Sequence, residues 1–191
     1  MSAAYRRGLA HPDLTGVKAG ADAPASLCST MRTSPLPCDT AVDVDTLLAS
    51  ARALQRAACA GATRPLLRGK NLGLLCEADD GAAELFRRAA AELGARVSHI
   101  PPSLSELSTP GEVLHTARLL GRLYDAVECL GMAPALVREV GDGAGVPVYD
   151  GLASPHHPTA RLAGLLGGET SEVENRRYVL QAVLLSTLDA G

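Results

Sequence analysis

Asn71-Leu72-Gly73-Leu74-Leu75-Cys76-Glu77, followed by Gly81 to Leu93 and then Gly94, is the stretch that decides the fold. The first piece is a short apolar run around Leu72, Leu74 and Leu75, which predicts a buried strand. The second has a helical period, with Gly94 placed as a C′ residue. Ala95 to Ile100 reads as a second strand, broken by Pro101-Pro102. Thr109-Pro110-Gly111-Glu112 supplies an N-cap, a proline at the first helical position and a glutamate three residues after the cap, so a helix opens there and runs to about Leu123. Asp125 to Leu130, Ala133 to Val140 and Gly145 to Asp150 continue the alternation as strand, helix and strand. Strands joined by helices predict right-handed βαβ crossovers. The expected fold is α/β, in three layers: a parallel four-stranded sheet with helices on both faces.

Outward from this centre, Val44, Leu47, Leu48, Ala51, Leu54 and Ala58 recur at three- and four-residue steps until Gly61, a one-sided amphipathic helix with Arg52, Gln55 and Arg56 on its polar face. Residues 1–41 lack a sustained period and carry turn formers such as Ser34-Pro35-Leu36-Pro37, which predicts a poorly ordered arm. Downstream, Pro158 to Leu166 predicts a short helix, and Ser171 with Glu174 a capping box ahead of a final helix to Leu188. Its apolar Val173, Tyr178, Val179, Ala182, Val183 and Leu185 are expected to cover the sheet. The organisation expected is one domain over 42–191, closed by the helix at 171–188.

Composition narrows the function classes. The 191 residues are 47% hydrophobic and 20% charged, with a formal net charge of −3 and both signs interspersed. There is no basic field for nucleic acid, and with one Phe, four Tyr and no Trp there are few platforms for stacking bases. No apolar run approaches the roughly 18 residues of a membrane span, and no secretory leader is visible, so the expected compartment is the cytoplasm. Cys28, Cys38, Cys59, Cys76 and Cys129 are widely spaced and include no C-x-x-C pair, which fits reduced thiols and neither a disulfide framework nor a zinc site.

Four ordered blocks carry a resemblance. Leu66-Leu67-Arg68-Gly69-Lys70-Asn71-Leu72-Gly73-Leu74-Leu75 is similar to a first strand of the form L-x-G-K-x-L. Gly111-Glu112 with Thr116-Ala117-Arg118-Leu119-Leu120-Gly121-Arg122 is similar to G-E-S…D-T-A-R-V-L-S-R. Gly145-Val146-Pro147-Val148-Tyr149-Asp150-Gly151-Leu152 with His157-Pro158 is similar to G-V-P-V-x-N-G-L…H-P-C-Q, and Glu174-Asn175-Arg176 to a terminal E-N-R helix. Together they resemble the carbamoyl-phosphate domain of the ornithine carbamoyltransferase family, a Rossmann-like domain. The resemblance implies transfer of a carbamoyl group from carbamoyl phosphate to an amine, in trimers that build their sites at subunit contacts. It also implies that the amino-acid-binding domain is missing, since only Leu166-Gly167-Gly168-Glu169-Thr170 lies between the end of the first domain and the returning helix.

The same resemblance locates the losses. The family grips phosphate with a Ser-Thr-Arg-Thr-Arg loop at a helix start, where backbone amides also favour an anion. That loop aligns with Asp79-Asp80-Gly81-Ala82-Ala83. Leu130 stands where the family has an arginine after the third strand, and Ala160 where it has the glutamine of H-P-C-Q. His157 matches the residue that contacts the carbamoyl oxygen, and is vestigial as a catalyst on its own.

The candidate ligand-binding residues are therefore Asp79, Asp80, Gly81, Arg118, Leu130, His157, Pro158 and Arg161. Asp79 and Asp80 read either as helix-start acids or as a site for a cation, an amine or a metal. His156 and His157 are adjacent and lack a third ligand nearby, so no metal is expected, and no cofactor is implied. His99 and His115 read as structural. The expected function is a non-catalytic binding or assembly module, with a rearranged transferase using His157, Arg161, Arg118 and helix-start amides as the alternative. Expected partners are a small anionic or amino-acid ligand, further copies of the chain in a trimer, or a full-length carbamoyltransferase.

Overall fold

The computed structural model describes residues 43–168 and 170–188. The arm expected over 1–41, with Cys28 and Cys38, lies outside the described residues. Helix α1 (Val44–Cys59) is followed by β1 (Asn71–Leu75), α2 (Gly81–Glu92), β2 (Arg96–Ile100), α3 (Pro110–Leu123), β3 (Ala126–Cys129), α4 (Pro134–Ala144), β4 (Val148–Asp150), a 3₁₀ turn (Pro158–Arg161), α5 (Leu162–Leu166) and α6 (Glu172–Leu188). The four strands form one sheet in the order β2-β1-β3-β4, every pair parallel. Strand β1 is apolar and buried because it lies inside the sheet with helices over both faces. Edge strand β2 is mostly exposed.

The alternation of side chains along the strands divides the core in two. One layer contains Leu72, Leu74, Ala126, Leu130 and Tyr149 with the apolar faces of α1, α2, α5 and α6. The other contains Leu75, Val127, Cys129 and Val148 with those of α3 and α4. In the second layer α3 and α4 cross closely: a Cβ placed on Gly121 would lie 1.8 Å from the carbonyl oxygen of Ala144. Gly94, at φ +84°, turns the chain out of α2 where a Cβ would meet Pro65 at 2.6 Å. The start of α3 has the capping box read from its sequence: Thr109 N–H donates to the Glu112 carboxylate at 2.7 Å and Glu112 N–H to Thr109 Oγ1 at 3.4 Å.

Four expectations need correction. In the terminal helix residues 177–185 are buried without interruption, because α6 packs against α1, α2 and α5 at once. Val173, in its first turn, is 69% exposed and takes no part in that cover. The polar face of α1 is also not simply solvated. Gln55 donates to Gly167 O at 3.1 Å and to Asn175 Oδ1 at 3.0 Å, while Arg52 donates to Leu165 O at 2.9 Å. These side chains hold the connection from α5 to α6, supplying partners for backbone carbonyls that end one helix before the next begins. Finally, residues 158–166 form a 3₁₀ turn and a short α-helix in place of one helix, and α4 extends past Val140 to Ala144 before Gly145 stops it at φ 71°.

Arg177 shows how a charge is tolerated inside this packing. It is 7% exposed, paired with Glu92 and Glu174, and its guanidinium carbon lies 4.6 Å from the centre of the Tyr178 ring. Burial alone would lower its pKa; the bond to Glu92 and the surrounding acids raise it instead, so it stays a cation.

Candidate functional site

In a parallel sheet of this order the chain leaves β1 in one direction and β3 in the other, and ligands of such sheets bind at the carboxyl ends of the strands beside that reversal. The carboxyl end of β1 leads to Asp79 and Asp80. Asp80 is the N-cap of α2, and its Oδ1 accepts from Ala82 N–H and Ala83 N–H, both at 3.0 Å. Asp79 is exposed and paired with Arg87, which also reaches Glu84 at 3.3 Å. Gly81 is the first residue of the helix, with open space around its Cα. The amides that would meet an anion at this helix start are thus already held by a carboxylate of the chain itself.

Leu130 follows β3, is 8% exposed, and lines a cavity of about 390 Å³ with Glu77, Glu106, Met132 and Leu136. His157 caps the 3₁₀ turn: its Nδ1 bonds to Thr159 Oγ1 at 2.8 Å and accepts from Thr159 N–H at 3.3 Å. Pro158 opens that turn and Arg161 closes it, both exposed. Arg118 is exposed on α3, in the layer of α4 and away from α6. No ion pair among the described residues includes Arg118 or Arg161. The structure therefore does not bring Arg118 to His157.

Two residues that sequence reasoning missed stand next to His157 or beneath its loop. Arg176, from α6, donates through Nη2 to the carbonyls of Ala153 and Ser154, both at 2.8 Å, while its buried Nε has no hydrogen-bond partner. Burial lowers the pKa of His157, and the adjacent Arg176 charge lowers it further, so the imidazole is held neutral. The E-N-R block contained Arg176, but only the return of α6 over the loop shows where it points. Glu128, on β3, is fully buried; Oε1 accepts from Ala153 N–H at 3.0 Å and Oε2 has no partner. Burial raises its pKa to about 8, against the lowering effect of the Ala153 and Leu152 amides and with a further rise from Asp150. An acidic residue in an apolar run was the available signal.

The buried cysteines, Cys76 and Cys129, offer no activated nucleophile. Burial raises the thiol pKa of Cys76, and pushes that of Cys129 up to about 12 with Glu128 and Asp150 adding to it, so neither is a thiolate. His99 Nε2 bonds to Cys76 O at 2.9 Å, a structural contact. Among the described residues no group of three or more His, Cys, Asp or Glu is placed to hold a metal, and no helix is long and apolar enough to cross a membrane.

No family model matches the chain. It is 39% identical over 125 residues to the catabolic ornithine carbamoyltransferase of Haemophilus influenzae, covering 65% of this chain and 37% of that protein. With the catabolic ornithine carbamoyltransferase of Burkholderia pseudomallei it shares 40% over 121 residues, 63% of this chain and 36% of the relative. The chain thus spans well under half the length of these relatives. Among solved structures it is similar to the ornithine carbamoyltransferase of Pyrococcus furiosus, with a TM-score of 0.55 at 24% identity over 64% of this chain and 40% of that one. The corresponding enzyme of Burkholderia thailandensis gives 0.56 at 20%, over 65% and 43%. These two likenesses are of fold.

Proposed function

Over about two thirds of its length this chain is related to one part of the ornithine carbamoyltransferases, and from that premise we propose that it is a carbamoyltransferase-like binding or assembly module that does not transfer carbamoyl groups. One observation carries the reading: Asp80 occupies the amides at the start of α2. A phosphate arriving there meets a carboxylate in its place, a repulsion of about 1 to 4 kcal/mol for effective dielectrics of about 80 to 20. Leu130 adds an alkyl wall where a cation would be needed. The link from α5 to α6, tied down by Gln55, supplies no second domain to hold an amine acceptor. For an assembly role the supporting feature is apolar surface on and just before α3, where Leu107, Leu119 and Leu123 are 94%, 49% and 56% exposed. It suits a trimer of this chain or a mixed oligomer with a full-length carbamoyltransferase.

Isothermal titration with carbamoyl phosphate and with inorganic phosphate tests the reading. The expected result is no binding; millimolar or tighter binding that is lost in His157→Ala overturns it.

One observation favours a second reading. His157 and Arg176 lie together at the loop after β4, and a neutral imidazole beside a guanidinium is a donor pair for a small anion. An enzyme built on that pair would form citrulline from carbamoyl phosphate and ornithine. Absence of turnover by the purified chain excludes this reading.

A further inference from the structure

The segment that leads from the sheet to His157 is a succession of tight turns. Gly151 N–H donates to Cys129 O at 2.9 Å, Ser154 N–H to Gly151 O at 2.8 Å, His157 N–H to Ser154 O at 3.1 Å and Ala160 N–H to His157 O at 2.9 Å. Ala153, fully buried in the middle of it, is held from two directions. Its amide donates to Glu128 Oε1 of β3, and its carbonyl accepts from Arg176 of α6. Glu128 thus reaches from within the sheet to this loop, and it does so with its second oxygen unpartnered among apolar neighbours.

We propose that Glu128 is a positioning residue whose proton works as a latch: with the proton on, the carboxyl seats the Gly151–His157 loop against the sheet, and its loss loosens the loop and shifts His157 relative to Arg176. The physical cause is the asymmetry of the site. A neutral carboxyl can accept from Ala153 N–H and keep the layer dry. A carboxylate with one oxygen unpaired in an apolar layer is stabilised only by admitting water. The groups beside it on the sheet do not supply a cation: Asp150 at the end of β4 adds to the rise in its pKa, Cys129, the next residue of β3, points to the opposite face, and Tyr149, its register partner, bonds to Thr187 of α6. Arg176 meets the carbonyl side of Ala153, and so feels the carboxyl through the loop. With its pKa raised to about 8, the latch opens under mildly alkaline conditions. Nothing in this inference requires His157 and Arg176 to bind a ligand, so it stands or falls separately from either functional reading.

The test is NMR of the full chain, following the backbone amides of Ala153 and Ser154, the His157 ring and the ¹³C-labelled side-chain carboxyl of Glu128 from mildly acid to alkaline pH. The expected result is one shared midpoint for all four signals, and loss of that midpoint from Ser154 and His157 in Glu128→Gln, which keeps the acceptor for Ala153 N–H. Two results would overturn the latch. One is a Glu128 carboxyl that titrates while Ser154 and His157 stay still; the other is a loop transition that survives unchanged in Glu128→Gln. If the variant does not fold, the comparison of midpoints within the native chain decides alone.

Discussion

Replacing Glu128 by glutamine should abolish a pH dependence of stability that the native chain carries. The carboxyl is ordinary in the unfolded chain, at 4.5, and raised to about 8 in the fold, chiefly by burial. Between those values the folded state keeps a proton that the unfolded state has released, so stability falls as pH rises from one to the other. Above about 8 both states have released it and the penalty is complete. At about 1.4 kcal/mol per pH unit the whole span amounts to about 5 kcal/mol. Water entry and relaxation reduce it, but even half is large beside the roughly 5 to 15 kcal/mol that holds a domain folded. The substituted glutamine would carry its own cost, an NH₂ without a partner, of about 1 to 3 kcal/mol; that cost is independent of pH and shifts the curve without tilting it. Urea unfolding at a series of pH values should therefore show the variant gaining on the native chain steadily until about pH 8 and no further. Parallel curves for the two proteins would refute the reasoning, because they would mean that the buried group ionises in the fold as easily as in the unfolded chain.

Other perturbations have equally definite outcomes. Gly121→Ala places a methyl 1.8 Å from the Ala144 carbonyl oxygen; α3 and α4 must move apart, at a cost of about 1 to 3 kcal/mol or more, read as a lower thermal midpoint. Asp80→Ala leaves the amides of Ala82 and Ala83 without their acceptor and should cost about 1 kcal/mol in the same measurement. His157 is held neutral by burial first and by Arg176 second. Arg176→Met should thus raise its NMR midpoint part of the way back towards 6.5. The native chain should also lose stability as pH falls from 6.5 through the lowered folded value, since there the unfolded state binds the proton first.

The strands were legible because a sheet covered on both faces demands short continuous apolar runs, and Leu72, Leu74 and Leu75 form one. The capping box at Thr109 was legible because its chemistry is local to four residues. What escaped was whatever depends on a distant partner. Gln55 looked like a surface residue because its acceptors, Gly167 and Asn175, lie more than a hundred positions away in sequence. Arg176 looked like one letter of a motif, and its place over the Ala153 carbonyl follows only from the packing of α6 on α1, α2 and α5. Arg118 failed in the opposite sense: its motif was recognisable, while its layer of the fold sets it apart from His157.

The contrast between the two ends of the candidate site is the physical core of the functional reading. At the start of α2, a donor set suited to an anion is satisfied internally: Asp80 holds two amides, and Arg87 answers Asp79 and Glu84. An external anion must then displace a carboxylate that is covalently tethered and already in place, and tethering favours the internal group because it loses little freedom on binding. At the loop after β4 the donors are not satisfied in this way. Arg176 commits Nη2 to two carbonyls and its unpartnered Nε is buried, while His157 uses Nδ1 on Thr159 and makes no bond through Nε2 among the described residues. Any residual affinity for a small anion should therefore map to His157 and Arg176 and be indifferent to Asp79. If it instead increased on removal of Asp79 and Asp80, the helix start would be a suppressed site and the assignment of function would have to begin there.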